Sequence, residues 1–243
     1  MDALLLKRHV DARAHHADTR RLETLLDRII PRPDLHARFV NTLARLEYVG
    51  VRKMLKSRRA ERLDIDGLQH LLDEAVHALR LKKAASALAA AGGTAVTTFA
   101  DADTLAGEAG EDYFQSLDRR AELALSSADS GSGATDNTRA EANYLLTSAA
   151  IEVRAQAFYP VYEQRLRAHG APFSVSAITK DEDRHLQEMS ERLQALLGPA
   201  PRGLDGVLAE EELLYGRFLA ALEAAIEAAE PAAAGETPAA RVA

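Results

Sequence analysis

Residues 73–77 read Asp73-Glu74-Ala75-Val76-His77, and residues 181–185 read Asp181-Glu182-Asp183-Arg184-His185. Each phrase follows a glutamate at nearly the same distance: Glu47 with 25 residues between (48–72), Glu152 with 28 (153–180). A Glu-x-x-His pair alone says little, since the 8 His of this chain and its Glu content give about 0.7 such matches by chance. Requiring Asp before the Glu lowers that expectation to about 0.05, so two occurrences with matched upstream glutamates point to one chemical phrase used twice.

The phrase makes sense only on helices. Residues three or four apart share a helix face, so Glu74 with His77, and Glu182 with His185, can each reach toward one ion. The surrounding periodicity agrees. Glu47 lies in the stripe Val40, Leu43, Ala44, Val51, Met54, and Glu152 aligns with Leu145, Ala149 and Ala155. Glu74 and His77 align with Leu71, Ala78 and Leu81; Glu182 and His185 align with Val175, Ile178, Leu186 and Met189. An ionised carboxylate on an apolar face costs several kcal/mol unless it is paired, and four converging carboxylates need positive charge among them. Two divalent cations would supply it.

Working outward, residues 1–16 are ambiguous and Asp18–Ile30 reads as a short helix stopped by Pro31 and Pro33. A long helix is expected from Asp34, as N-cap, to about Ser57, and a second from an Asp66 cap to Gly92-Gly93. The pattern then weakens: Asp101–Glu111 reads as loop, Tyr113–Leu125 as a short helix, and Ser126–Thr135 as a flexible linker. A third long helix is expected over Thr138–Ala168 with a kink at Pro160, ending at Gly170, and a fourth from a Ser174 cap to Leu197. A fifth spans Leu204–Ala229, and residues 230–243 form an Ala/Pro/Gly-rich flexible tail. The expectation is one all-α domain over 1–229, with two antiparallel hairpins joined by a long crossover (about 34–197), plus an N-terminal helix and a C-terminal fifth helix. Bundles of the ferritin-like kind have this connectivity.

Composition narrows the chemistry. Aromatics are 5% and there is no Trp, while Ala, Leu, Glu and Arg fill the periodic stretches, so helix is favoured over sheet. A formal charge of −7 disfavours a nucleic-acid partner, and Arg52-Lys53…Lys56-Ser57-Arg58-Arg59 reads as a solvated helix end. No segment approaches a membrane span or a signal-peptide pattern, so a cytoplasmic address is expected and no membrane partner. With no Cys, any metal is held by carboxylate and imidazole.

The two phrases resemble those of the ferritin-like superfamily of di-iron carboxylate proteins, especially rubrerythrins and arylamine N-oxygenases, in which a Glu is followed some thirty residues later by Asp-Glu-x-Arg-His. Residues 181–185 fit fully; residues 73–77 fit all but the Arg. The resemblance covers about residues 40–190. It implies a ferritin-like fold holding two iron ions, with Mn/Fe also admitted, on Glu47, Glu74, His77, Glu152, Glu182 and His185. Rubrerythrins carry a further Glu three residues from the third-helix ligand and usually a Cys-ligated iron domain; here Ala149 and Ala155 flank Glu152 and no Cys is present. Arylamine oxygenases carry a His four before the last Glu, where this chain has Ile178. Instead His70 stands four before Glu74, where it reads as a seventh ligand, a donor behind the ligands, or simply an amphipathic His near a helix start.

Asp73 and Asp181 are expected to accept the remaining imidazole N–H of a ligand histidine. Tyr159, two turns after Glu152, is the candidate catalytic residue as a redox or proton donor, the alternative being a core tyrosine with a satisfied hydroxyl. The leading reading is an O2-dependent oxidase or monooxygenase of a small organic substrate, served by an electron donor; a homodimer is allowed. Iron handling or peroxide scavenging, as in ferritins and rubrerythrins, is the alternative.

Overall fold

The structure is a computed structural model and describes residues 4–57, 63–128, 136–201 and 203–229. The last seven residues of the expected linker (129–135), the expected tail (230–243) and Arg58-Arg59 lie outside the described residues.

Among the described residues there are eight α-helices and no strand. They are α1 (Leu4–Ala14), α2 (Ala17–Ile29), α3 (Pro33–Ser57), α4 (Ile65–Ala91), α5 (Gly107–Ala128), α6 (Asp136–Ala168), α7 (Ser176–Leu197) and α8 (Leu204–Ala228). None is long and apolar enough to cross a membrane. The ambiguous first residues thus hold a helix, and a single 3-10 turn, Asp101–Asp103, interrupts the stretch between α4 and α5.

Helix starts differ from the sequence reading for local reasons. Pro33, not a cap at Asp34, opens α3; its fixed φ suits the first helical position, where no N–H is required. The α4 cap is Asp64, whose Oδ1 accepts the Gly67 N–H at 2.9 Å, so Asp66 sits inside the first turn. Ser174 stands one residue before the Val175 cap of α7, and its hydroxyl accepts the Ser176 N–H at 3.2 Å. The C-terminal end of α4 is as expected: the Gly92 N–H donates to Leu88 at 3.0 Å, Gly93 turns left-handed at φ 71°, and Thr94 N–H returns to Ala89 at 2.8 Å.

Side-chain pairs fix helix directions. From Asn41 with Lys82 to Glu47 with His77, numbers rise along α3 as they fall along α4, so the two are antiparallel. Gln156 with Thr179 and Glu163 with Val175 make α6 and α7 antiparallel. Asp64 with Arg192 and His77 with Asp181 do the same for α4 and α7, and His36 with Tyr162 and Lys53 with Asn143 for α3 and α6. The four long helices therefore alternate in direction around a common interior. The helix α6 is continuous through Pro160, which faces solvent.

The stretch between α4 and α5 is pinned by polar side chains of α3, not by apolar periodicity. Asn41 donates to Thr98 and Asp103 carbonyls at 2.8 and 2.7 Å, Arg38 to Thr104, and Arg45 to Phe99. Asp103 receives the Thr97 and Thr98 backbone N–H groups, and these bonds hold its carboxyl down at about 2. Helix α5 starts six residues before the expected Tyr113. A Cβ on Gly110 would stand 3.0 Å from Leu46, so this glycine lets α5 press onto α3. One contiguous core draws on all eight helices, from Leu6 in α1 to Ile226 in α8.

Candidate metal centre

Seven acid and imidazole side chains from four helices meet in the interior between α3, α4, α6 and α7. They form two sets of four, each with ligand-capable atoms all within 4.8 Å of one another: Glu47, Glu74, His77 and Glu182, and His70, Glu74, Glu152 and His185. Glu74 belongs to both sets. Glu182 also spans them, with Oε1 3.3 Å from His77 Nδ1 and Oε2 3.3 Å from His185 Nδ1. All six residues of the duplicated phrase therefore come together, and His70 comes with them. Its Nε2 is 3.3 Å from Glu152 Oε1 and 3.6 Å from Glu74 Oε1, and its ring stacks on His185 with centroids 3.9 Å apart.

The aspartates are arranged reciprocally. Asp181 Oδ2 lies 3.2 Å from Nε2 of His77, and Asp73 Oδ2 lies 3.4 Å from Nε2 of His185, so each hairpin's Asp meets the other hairpin's His. Arg184 closes on Asp73 in turn. An aspartate on Nε2 holds the imidazole with Nδ1 toward the cluster, the orientation a ligand needs. The sequence reading anticipated an Asp–His contact but not the exchange across hairpins.

The electrostatics are compatible with bound cations. Six of the seven side chains are buried and Glu47 nearly so. Burial, then the negative charges of Glu47 and Glu182, pushes the Glu74 carboxyl well above its usual range. Burial and Glu182 do the same to Glu152. Burial would raise Glu182 too, but hydrogen bonds from Glu152, His185 and His77 outweigh it and bring this carboxyl well below its usual range. Burial opposes protonation of His77, yet hydrogen bonds to Glu182 and Glu47 lift it to about 11. The buried Glu152 Oε2 makes no hydrogen bond. Such a cluster is saturated with acceptors and short of donors, and four carboxylates carry the charge that two divalent cations neutralise. The residues present fit a two-metal group on donor chemistry alone.

Tyr159 reaches the cluster across the α3–α6 pair: its hydroxyl donates to Glu47 Oε1, and burial followed by the Glu47 charge pushes the phenol well above its usual value. Gly50 was not anticipated. A Cβ there would lie 3.0 Å from Glu74 Oε2, so the glycine makes room for the shared carboxylate.

Beside the cluster a cavity of about 90 Å³ is bounded by Glu47, Glu74, Glu152 and Glu182 and by apolar side chains that include Leu43, Phe114, Ile151 and Phe158. Helices α5 and α8 close its far side with Tyr113, Tyr215 and Phe218. Behind that wall sits a second buried polar group, also unanticipated. Glu211 of α8 accepts from Arg13 at 2.9 and 3.0 Å, from Arg154 at 2.7 and 3.0 Å, and from the Tyr113 hydroxyl at 2.8 Å. A glutamate inside the stripe Val207, Leu208, Leu214, Tyr215 was the available sequence signal.

Compared with models of known protein families, with curated proteins and with solved structures, the chain gives no match.

Proposed function

We propose that this chain is a ferritin-like non-haem di-iron oxidase or monooxygenase that uses O2 to oxidise a small organic molecule. The observation that carries the reading is the pair of overlapping four-residue sets sharing Glu74, set against an apolar cavity. In this reading Glu47, His77, Glu74 and Glu182 hold one iron, and His70, Glu74, Glu152 and His185 the other, with Mn/Fe as a variant. The alternating long helices support a ferritin-like bundle, since α4 and α6 run parallel and the stretch containing α5 makes the long crossover between them.

When bound, such a metal pair supplies reversible redox chemistry with O2. The chain's own residues do the rest. Asp181 and Asp73 orient His77 and His185; Tyr159 holds a proton on Glu47 at the cavity edge; Leu43, Phe114, Ile151 and Phe158 exclude water from the space where an organic molecule would lie. That space distinguishes the reading from iron storage, which needs no apolar pocket on the cluster.

The test is elemental analysis followed by anaerobic reduction and rapid mixing with O2. About two irons per chain and a transient absorbance whose decay is hastened by small organic molecules are expected. Uptake of many irons per chain, or rapid peroxide turnover with inertness to O2, would replace the reading with iron handling or peroxide scavenging.

A further inference from the structure

The geometry points to a carboxylate-bearing substrate: the cavity takes a small apolar acid whose carboxylate sits on the open edge of Arg154. This rests on the oxidase reading and names the class of molecule that it acts on. Arg154 lines the cavity, with 7% of its surface exposed. Two of its three nitrogens are committed, Nε and Nη2 donating to the two oxygens of Glu211, and its face lies 3.8 Å over the Tyr215 ring. Its remaining nitrogen, Nη1, makes no hydrogen bond among the described residues.

A guanidinium presents five donors in a rigid fork and cannot shed its charge. Held by Glu211 and Tyr215, this one is pre-aimed, so an incoming anion orders nothing further. The Glu211 carboxylate is divided between Arg154 and Arg13, while Glu212, the second acid on Arg13, is 3.7 Å from it and 36% exposed; the four cavity acids belong to the metal cluster of the proposed reading. Arg154 thus keeps attraction for an anion that its partners do not consume.

The size limits the molecule. At ~10–15 Å³ for each water-sized position, about 90 Å³ holds roughly six to nine heavy atoms. Apart from the acids, Arg154 and the Tyr113, Tyr159 and Tyr215 hydroxyls, of which Tyr113 and Tyr159 are committed to Glu211 and Glu47, the lining is apolar, with Ile151, Ala155 and Phe158 among it. A short aliphatic or single-ring carboxylate fits, with its far end directed at Glu47 and Glu152. An ammonium-headed molecule would face the guanidinium.

Calorimetric titration with benzoate, and with its neutral isostere benzamide, tests this on full-length Mn(II)-loaded protein under argon. Benzoate is expected to bind at least tenfold more tightly. Arg154→Gln is expected to erase that preference, and Ala155→Phe, which adds a ring to the cavity lining, to abolish binding of both. Equal affinity for the two probes, or a preference that survives Arg154→Gln, overturns the proposal. If Arg154→Gln does not fold, Arg154→Lys keeps a cation over Tyr215 and is expected to weaken benzoate about tenfold; unaltered benzoate binding in Ala155→Phe overturns the proposal with either variant. No turnover is read, so failure here leaves the oxidase reading standing, whereas absence of bound metal in the same samples would remove that reading and not the anion site.

Discussion

Replacing Glu74 with Gln should move stability and metal content in opposite directions. In metal-free buffer the buried Glu74 carboxyl is pushed up by burial and by Glu47 and Glu182. A carboxyl with a raised folded pKa favours the native state least at high pH: the penalty is absent below the free value of 4.5 and grows as pH rises above it, until the folded value is passed. Leaving such a group charged without a partner in the interior costs about 1–3 kcal/mol. Gln removes it. Since ~1 kcal/mol moves the midpoint of a chain of this size by roughly 2–4 °C, metal-free E74Q should melt several degrees above the parent at pH 7. The parent gains what the variant lacks: free metal at a hundred times its dissociation constant adds about 2.7 kcal/mol per site. Because Glu74 alone belongs to both four-residue sets, E74Q should lose both ions, whereas His70→Phe and His77→Phe should each lose one. Scanning calorimetry with and without metal, beside elemental analysis, reads all of this. A variant that melts lower in metal-free buffer, or retains two ions, would refute the shared-ligand reasoning.

Gly50→Ala should separate the same quantities more gently. Alanine favours helix by about 1 kcal/mol, but its Cβ would crowd Glu74 Oε2, so metal affinity should fall about tenfold with metal-free stability kept or raised; unchanged affinity in a chelator competition would count against the close approach. Glu211→Gln strands Arg13 and Arg154 in the interior and should cost about 3–5 kcal/mol in urea unfolding, a result under 1 kcal/mol contradicting the network. Burial, with the His169 charge adding to it, holds His36 at about 4, so its contribution is intact above about 6.5 and is lost as pH falls toward 4. That loss is roughly 3 kcal/mol, and His36→Gln should flatten the stability profile over this window; an unflattened profile would place the acid sensitivity elsewhere.

The helices that carry the cluster were legible because their apolar stripes run for many turns and because the Asp-Glu-x-x-His phrase recurs. Their boundaries were less so. Asp64 and Asp66 are both competent caps, and only the position of the Gly67 N–H selects between them. The start of α5 was hidden because Gly107 and Gly110 disfavour helix locally, while packing of α5 on α3 favours it. The cluster residues on α3, α4, α6 and α7 could be placed by spacing. The cavity could not, because Tyr113, Phe114, Tyr215 and Phe218 arrive from helices whose docking spacing does not encode. Arg154 shows the same limit: two residues from Glu152 it falls off the face that carries the ligands, and only the docking of α8 brings its guanidinium to Glu211 and the cavity wall.

The exchange of aspartates across the hairpins bears on the order in which the protein matures. A hairpin on its own owns a histidine but not the carboxylate that aims it, since His77 waits for Asp181 and His185 for Asp73. A half-made chain emerging from synthesis would offer a floppy, low-affinity ring to passing metal. On the di-metal reading proposed above, tight capture would wait until both halves have docked, and possession of the ions would certify correct assembly.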